Sequence, residues 1–150
     1  MAIKKALALC PDDPFLKEKM EAINNQSRPF IVSFKEYQKS LLTENYALWK
    51  GLINARYVHE CEVDVSRLKE RGEPVNTLQL FFKELSKLPA KYGNPEGADI
   101  VCVEPLSAER AYVHFSYKDL PKILKMEVTR QGGTLKIDRE EDSDLRKTEL

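Results

Sequence analysis

The side chains with chemical potential in this sequence are few: His59, His114, the cysteines Cys10, Cys61 and Cys102, and tyrosines interleaved with Trp49. Tyr57, His59, Cys61, Val63 and Val65 alternate with Val58, Glu60, Glu62 and Asp64, a strand pattern with one apolar face. On such a strand His59 and Cys61 point the same way, roughly 7 Å apart. That is too far for the direct hydrogen bond that activates a nucleophile. His114 alternates with Val113 and Phe115, so it belongs beside Tyr112 on the outer face of its strand, exposed or facing a partner. The candidate pocket residues are therefore Tyr37, Trp49, Tyr57 and His59, and the candidate interface is Tyr112, His114, Lys125 and Glu127.

The same inventory excludes several chemistries. The cysteines form no CxxC pair and have no histidine at zinc spacing, so no metal ligand set is expected. They read as small apolar residues in a reduced compartment, with one disulfide plus a free thiol as the alternative. No phosphate loop, HExxH, GxSxG or paired-carboxylate constellation is present, so neither a catalytic residue nor a cofactor is assigned. Lysine plus arginine number 24 and aspartate plus glutamate 24, for a formal net charge of zero. A dedicated nucleic-acid binder needs a basic surplus to displace counterions, and a polybasic membrane-surface protein needs one too. No apolar run approaches the ~20 residues of a membrane helix. The apolar stretch after Lys4 and Lys5 stops at Pro11, too early for a signal peptide. The expected compartment is the cytoplasm, with export after loss of a leader ahead of this numbering as the alternative.

The elements that must position these residues follow from periodicity. Ile3, Ala6, Leu7 and Cys10 make a helical stripe ended by Pro11; Asp13 then caps a second helix with Pro14 at its first position. Residues 24–29 (NNQSRP) read as a linker. Phe30, Phe34, Tyr37, Leu41 and Leu42 form one helical face, with Lys35, Glu36, Lys39 and Ser40 opposite. Thr43 is a cap for a short helix carrying Tyr46, Ala47, Trp49, Leu52 and Ile53. Residues 57–65 are read as a strand, although Tyr57, Cys61, Val65 and Leu68 also line up at helical spacing. Asn76 or Thr77 caps an amphipathic helix with Leu78, Phe81, Phe82, Leu85 and Leu88, stopped at Gly93 to Gly97. Residues 99–104, 111–117 and 123–130 are strands, and Gly132-Gly133 turns the chain into a last strand with Leu135 and Ile137. The inward set is Val113, Phe115, Tyr117, Leu124, Met126, Val128, Leu135 and Ile137, and helices must cover it. Residues 138–150 hold charges and only two leucines, and read as a solvated tail.

Two resemblances organise these elements. Residues 6–14 (ALALCPDDP) resemble the closing segment of a tetratricopeptide repeat, which makes the start of the chain either the end of a longer repeat array or an ordinary helical hairpin. Residues 44–65, 72–85 and 108–140 resemble, in order, the second helix running into the first strand, the turn with its FF-x-x-L helix, and the final strands of the nuclear-transport-factor-two-like superfamily. Leu135 stands where many members place an aromatic. The resemblance implies an α+β fold: N-terminal helices plus a curved antiparallel sheet wrapped on a long helix, a cone-shaped α+β barrel. It divides the chain into a repeat-like hairpin (1–26), the cone-shaped domain (30–139) and a disordered charged tail (140–150).

That superfamily serves isomerases and dehydratases and also non-catalytic modules that dimerise through the sheet, so fold alone does not select an activity. The inward set contains no general acid or base at neutral pH. The first expectation is thus a non-catalytic module, at the end of a helical-repeat assembly, that binds a protein partner or itself through the sheet. The alternative is a small apolar-ligand binder, or an isomerase- or dehydratase-type enzyme, using the conical pocket. An open cavity reaching Tyr37, Tyr57 or His59 favours the alternative, whereas filling by Trp49, Phe81, Phe82 and Met126 counts against it.

Overall fold

The computed structural model describes residues 14–147, with side chains from Ser27 onward. The first half of the repeat-like hairpin, including Cys10 and the Asp13 cap, lies outside the described residues. Helix α1 (Pro14–Leu42) opens on Pro14, where a missing N–H costs nothing. It then runs unbroken through 24–29, so the expected linker is helix and Pro29 lies inside it. Asparagine, serine and proline favour turns locally. Burial of Phe30, Phe34, Tyr37 and Leu41 on one stripe outweighs that preference. Ser40, expected on the solvent side, is fully buried and donates from Oγ to the carbonyl of Tyr37 at 2.6 Å.

Asn45, not Thr43, caps α2 (Tyr46–Leu52), accepting from the Leu48 N–H at 3.1 Å. The Thr43 hydroxyl instead bonds back to Lys39 O at 2.7 Å, closing α1. Residues 57–65 are not a strand: they belong to α3 (Ala55–Glu70). Both periods are legible there, and the cap decides, because Asn54 Oδ1 accepts the Tyr57 N–H at 2.8 Å and starts the helix. Helical spacing buries Tyr57 and Cys61 and turns His59 out to solvent. Thr77 caps α4 (Leu78–Leu85) as expected, accepting from Leu80 N–H. The expected single helix to Leu88 breaks at Ser86–Lys87, and Pro89 lies in the first turn of a short α5 (Leu88–Lys91).

The sheet is an antiparallel meander of β1 (Asp99–Pro105), β2 (Arg110–Ser116), β3 (Ile123–Gln131) and β4 (Thr134–Ile137), in that order. Gly132 and Gly133 have φ of 58° and 84°, the left-handed pair that a two-residue hairpin needs. Helices cover one face, which gives the expected α+β architecture, and the sheet stays open rather than closing into a barrel. The register places Ala111, Val113 and Phe115 opposite Val128, Met126 and Leu124. These residues face α1, while Tyr112 and His114 pair with Glu127 and Lys125 on the other side.

The segment expected as a tail from 140 on joins the sheet: β5 (Glu141–Asp142) continues along the β3 edge that β4 occupies. The two pieces are out of phase. The Asp138 N–H bonds Glu127 O, and Lys125 pairs with Glu141, so Arg139 and Glu140 together stand opposite the single residue Met126. This extra residue is a β-bulge, and it turns both side chains toward the helices. Arg139 Nη2 reaches Asp64 Oδ2 on α3 at 2.7 Å, and Glu140 enters the space beside Met126.

Candidate functional site

The layer between α1 and the sheet is filled at one end and open at the other. At the filled end Trp49 is fully buried, edge-on to Tyr57 at 5.6 Å and 5.0 Å from Phe82 between ring centroids. At the open end lies a cavity of about 300 Å³. Phe115, Tyr117, Leu124 and Met126 of the sheet form its floor, Tyr37, Gln38 and Leu41 of α1 one wall, and Leu85, Leu88, Tyr92 and Leu120 the other. Glu140, Glu141, Asp142 and Lys122 stand at its rim. The size is at the lower end of small-molecule sites, and so is the balance of an apolar lining with a few polar groups.

The polar groups form two sets. Tyr37 and Tyr57 share a hydrogen bond of 2.6 Å between their hydroxyls, and the Tyr57 hydroxyl lies 3.5 Å from Glu140 Oε2. The line of hydroxyls thus ends on the one carboxylate that the bulge places beside the helices. Burial, reinforced by the Glu140 charge, raises the Tyr37 phenol well above its usual value. Burial does the same to Tyr57, with Tyr37 and Glu140 adding to it. Across the cavity, burial pushes Tyr117 up to about 12. All three phenols are therefore neutral hydrogen-bonding groups at physiological pH. The second set is Gln38, whose Oε1 accepts the Ala98 N–H at 3.0 Å while its amide nitrogen stands toward the Tyr117 hydroxyl and offsets part of the upward push on that phenol.

Of the expected pocket residues, Tyr37, Trp49 and Tyr57 come together and His59 does not. Only Tyr37 lines the cavity, whereas Tyr57 reaches it through hydrogen bonds and Trp49 is packed behind. Met126 and Tyr117 face inward as expected, and Leu124 and Leu135 pack against the core. Glu140 and Gln38 were not expected there. Gln38 lies four residues after Phe34 and three before Leu41, so its helical position was a usable signal. Glu140 had none, because alternation carried on from Ile137 points it outward.

The outer sheet face carries Tyr112, His114, Lys125 and Glu127 together, as expected. His114, however, is not exposed: it is 3% accessible. Its Nδ1 meets Ser143 Oγ at 2.7 Å and its Nε2 meets Glu104 Oε1 at 2.8 Å. Lys125 lies over the Tyr112 ring at 4.2 Å and pairs with Glu141 at 3.5 Å, while Glu127 pairs with Arg110 at 2.6 Å. Lys147 Nζ bonds Tyr117 O at 2.5 Å, so residues 141–147 form a strap fastened to this face. The hydroxyl of Ser143 already accepts the Leu145 N–H at 3.0 Å, which marks the Glu104–His114–Ser143 chain as a clasp.

Cys61 and Cys102 are buried and form no disulfide, and burial pushes the Cys61 thiol up to about 12, which makes it a poor nucleophile. Among the described residues no cluster of His, Cys, Asp and Glu is placed to hold a metal ion, and no helix is long and apolar enough to cross a membrane. Comparison with protein families, with curated proteins and with solved structures finds no match for this chain.

Proposed function

We propose that this protein binds a small, largely apolar molecule in the cavity between α1 and the sheet. The observation that carries the reading is the cavity itself: about 300 Å³ between α1 and the sheet, walled mainly by aromatic and aliphatic side chains with the charged groups at its rim, while Trp49 at the other end is fully buried. Neutral phenols and the Gln38 amide supply a few fixed polar contacts, and the apolar walls supply the binding energy.

Protein-observed NMR titration with a set of small aromatic and aliphatic fragments tests this. Binders should shift resonances of Leu85, Tyr92, Leu120 and Leu124, and should lose affinity at least roughly tenfold in Leu124→Trp, whose larger side chain occupies the space. Shifts scattered over the surface, or equal binding to the filled variant, would sink the proposal.

Self-association or protein binding through the outer face is the second reading. The half-buried Tyr112 ring beneath Lys125 supports it, and so does the mixed charge of Arg110, Glu127 and Lys125 around it. Size-exclusion chromatography with light scattering tests the homodimer directly, and a strict monomer at high micromolar concentration removes it.

A further inference from the structure

Resting on the cavity reading above, we infer that the ligand is an organic cation, a protonated amine on an apolar body, with Glu140 as its counter-ion. The cavity's own chemistry selects this class. Glu140 is half-buried, lines the cavity, and has no ion-pair partner among the described residues. Its nearest polar contact is the long 3.5 Å approach of the Tyr57 hydroxyl. The adjacent Arg139, also turned toward the helices, spends its guanidinium on Asp64 and Glu60 and makes no ion pair with Glu140. The other rim acids are matched: Asp142 pairs with Lys122 at 2.9 Å and Glu141 with Lys125 at 3.5 Å. Glu140 is thus the rim acid that has no ion pair of its own among the described residues, and the bulge aims it inward.

A carboxylate taken partly out of water without a partner carries a desolvation cost that a bound ammonium group would offset. The walls point the same way. Tyr37, Tyr92, Tyr117 and Phe115 surround the cavity, and aromatic faces attract cations when water is excluded. An anionic ligand would meet the Glu140 carboxylate, the one rim acid that Lys122 and Lys125 do not pair. Gln38 adds a polar group to the same cavity: it is 6% accessible, its Oε1 is held by the Ala98 N–H, and its amide nitrogen stands toward the Tyr117 hydroxyl. An amine that also carries a hydroxyl or carbonyl oxygen would contact Glu140 and Gln38 at once.

The test is calorimetric or NMR titration of the full chain with three molecules sharing one phenylpropyl body: phenylalaninol, phenylpropanol and phenylpropanoate. The cationic phenylalaninol should bind roughly ten- to a hundredfold more tightly than phenylpropanol, as expected for a hydrogen bond to a charged group, and phenylpropanoate most weakly. In Glu140→Gln the preference for the amine should collapse while phenylpropanol keeps its affinity, which also shows that the variant pocket is folded. Equal binding of amine and alcohol, or a preference that survives Glu140→Gln, overturns the cation assignment and leaves the cavity reading standing. Absence of binding by all three overturns the cation assignment, and with failed fragment titrations it removes the cavity reading as well.

Discussion

The two ends of the space between α1 and the sheet are built from the same layers and differ in what fills them. Around Trp49 the side chains interlock: Tyr57 and Phe82 meet the indole, and Val113, Val128 and Ile137 close the floor, all at 2% accessibility or less. Around Tyr117 the same helix and the same strands stand apart, and Gln38, Tyr92, Leu120 and Glu140 border open volume. One end is organised by packing density, the other by hydrogen bonds and charge. The contrast locates stability and binding in different residues. Substitutions at the filled end should unfold the protein, and those at the open end should change what it binds.

The largest expected effect is at the filled end. Trp49→Ala should cost about 3–5 kcal/mol in urea unfolding followed by circular dichroism, through lost burial and the cavity left behind. A loss below about 1 kcal/mol would mean that this end is not the stabilising core.

Alkaline titration probes both ends together. Burial holds Cys61 and Tyr117 at about 12 in the fold, against 9.0 for the thiol and 10.0 for the phenol when unperturbed. The folded state therefore keeps protons that the unfolded chain releases. Its stability is fully present below pH 9 and falls as pH rises from there through about 12, with Tyr37 and Tyr57 extending the loss in the same direction. Unfolding measured by circular dichroism should coincide with ionisation of Tyr37, Tyr57 and Tyr117, followed one by one through their ring resonances. Ionisation of any of these three well before unfolding would show that the buried phenols are not sealed.

A matched enlargement separates the two ends more finely. Val113→Phe should cost about 1–3 kcal/mol because no space receives it, while Leu124→Phe, beside the cavity, should stay within about 1 kcal/mol. Equal costs would erase the distinction between the ends.

The smallest effect belongs to the strap. Ser143→Ala removes one hydrogen bond of the clasp on His114 and should change global stability by about 1 kcal/mol or less. Its signature is faster amide exchange at Ser143, whose N–H bonds Ile123 O, and weaker amine binding, because Glu140 precedes the loosened segment.

Much of this layout could be read in residue order. The Thr77 cap, the glycine hairpin, the meander and its inward apolar set are statements about neighbours within a few positions, which periodicity and turn chemistry report directly. Residues 57–65 show the limit of that method, since Tyr57 and Cys61 satisfy a period of two and a period near four alike. His59 was grouped with the pocket on the wrong one. Polar residues around Pro29 imitate a linker, and Asp138 to Lys147 imitate a solvated tail, because local polarity does not reveal an apolar stripe downstream or a waiting strand edge.

By itself, then, the amino-acid sequence determined the α+β class, the zero net charge, the strand order and which apolar residues line the sheet. Only the tertiary structure decided where the charged groups went. His114 is buried because residues from a strand and from the strap close over it. Glu140 faces the cavity because one extra residue opposite Met126 shifts the edge strand out of phase. Side-chain direction in a sheet depends on register with the neighbouring strand, and register is a property of pairing that no stretch of the chain carries alone.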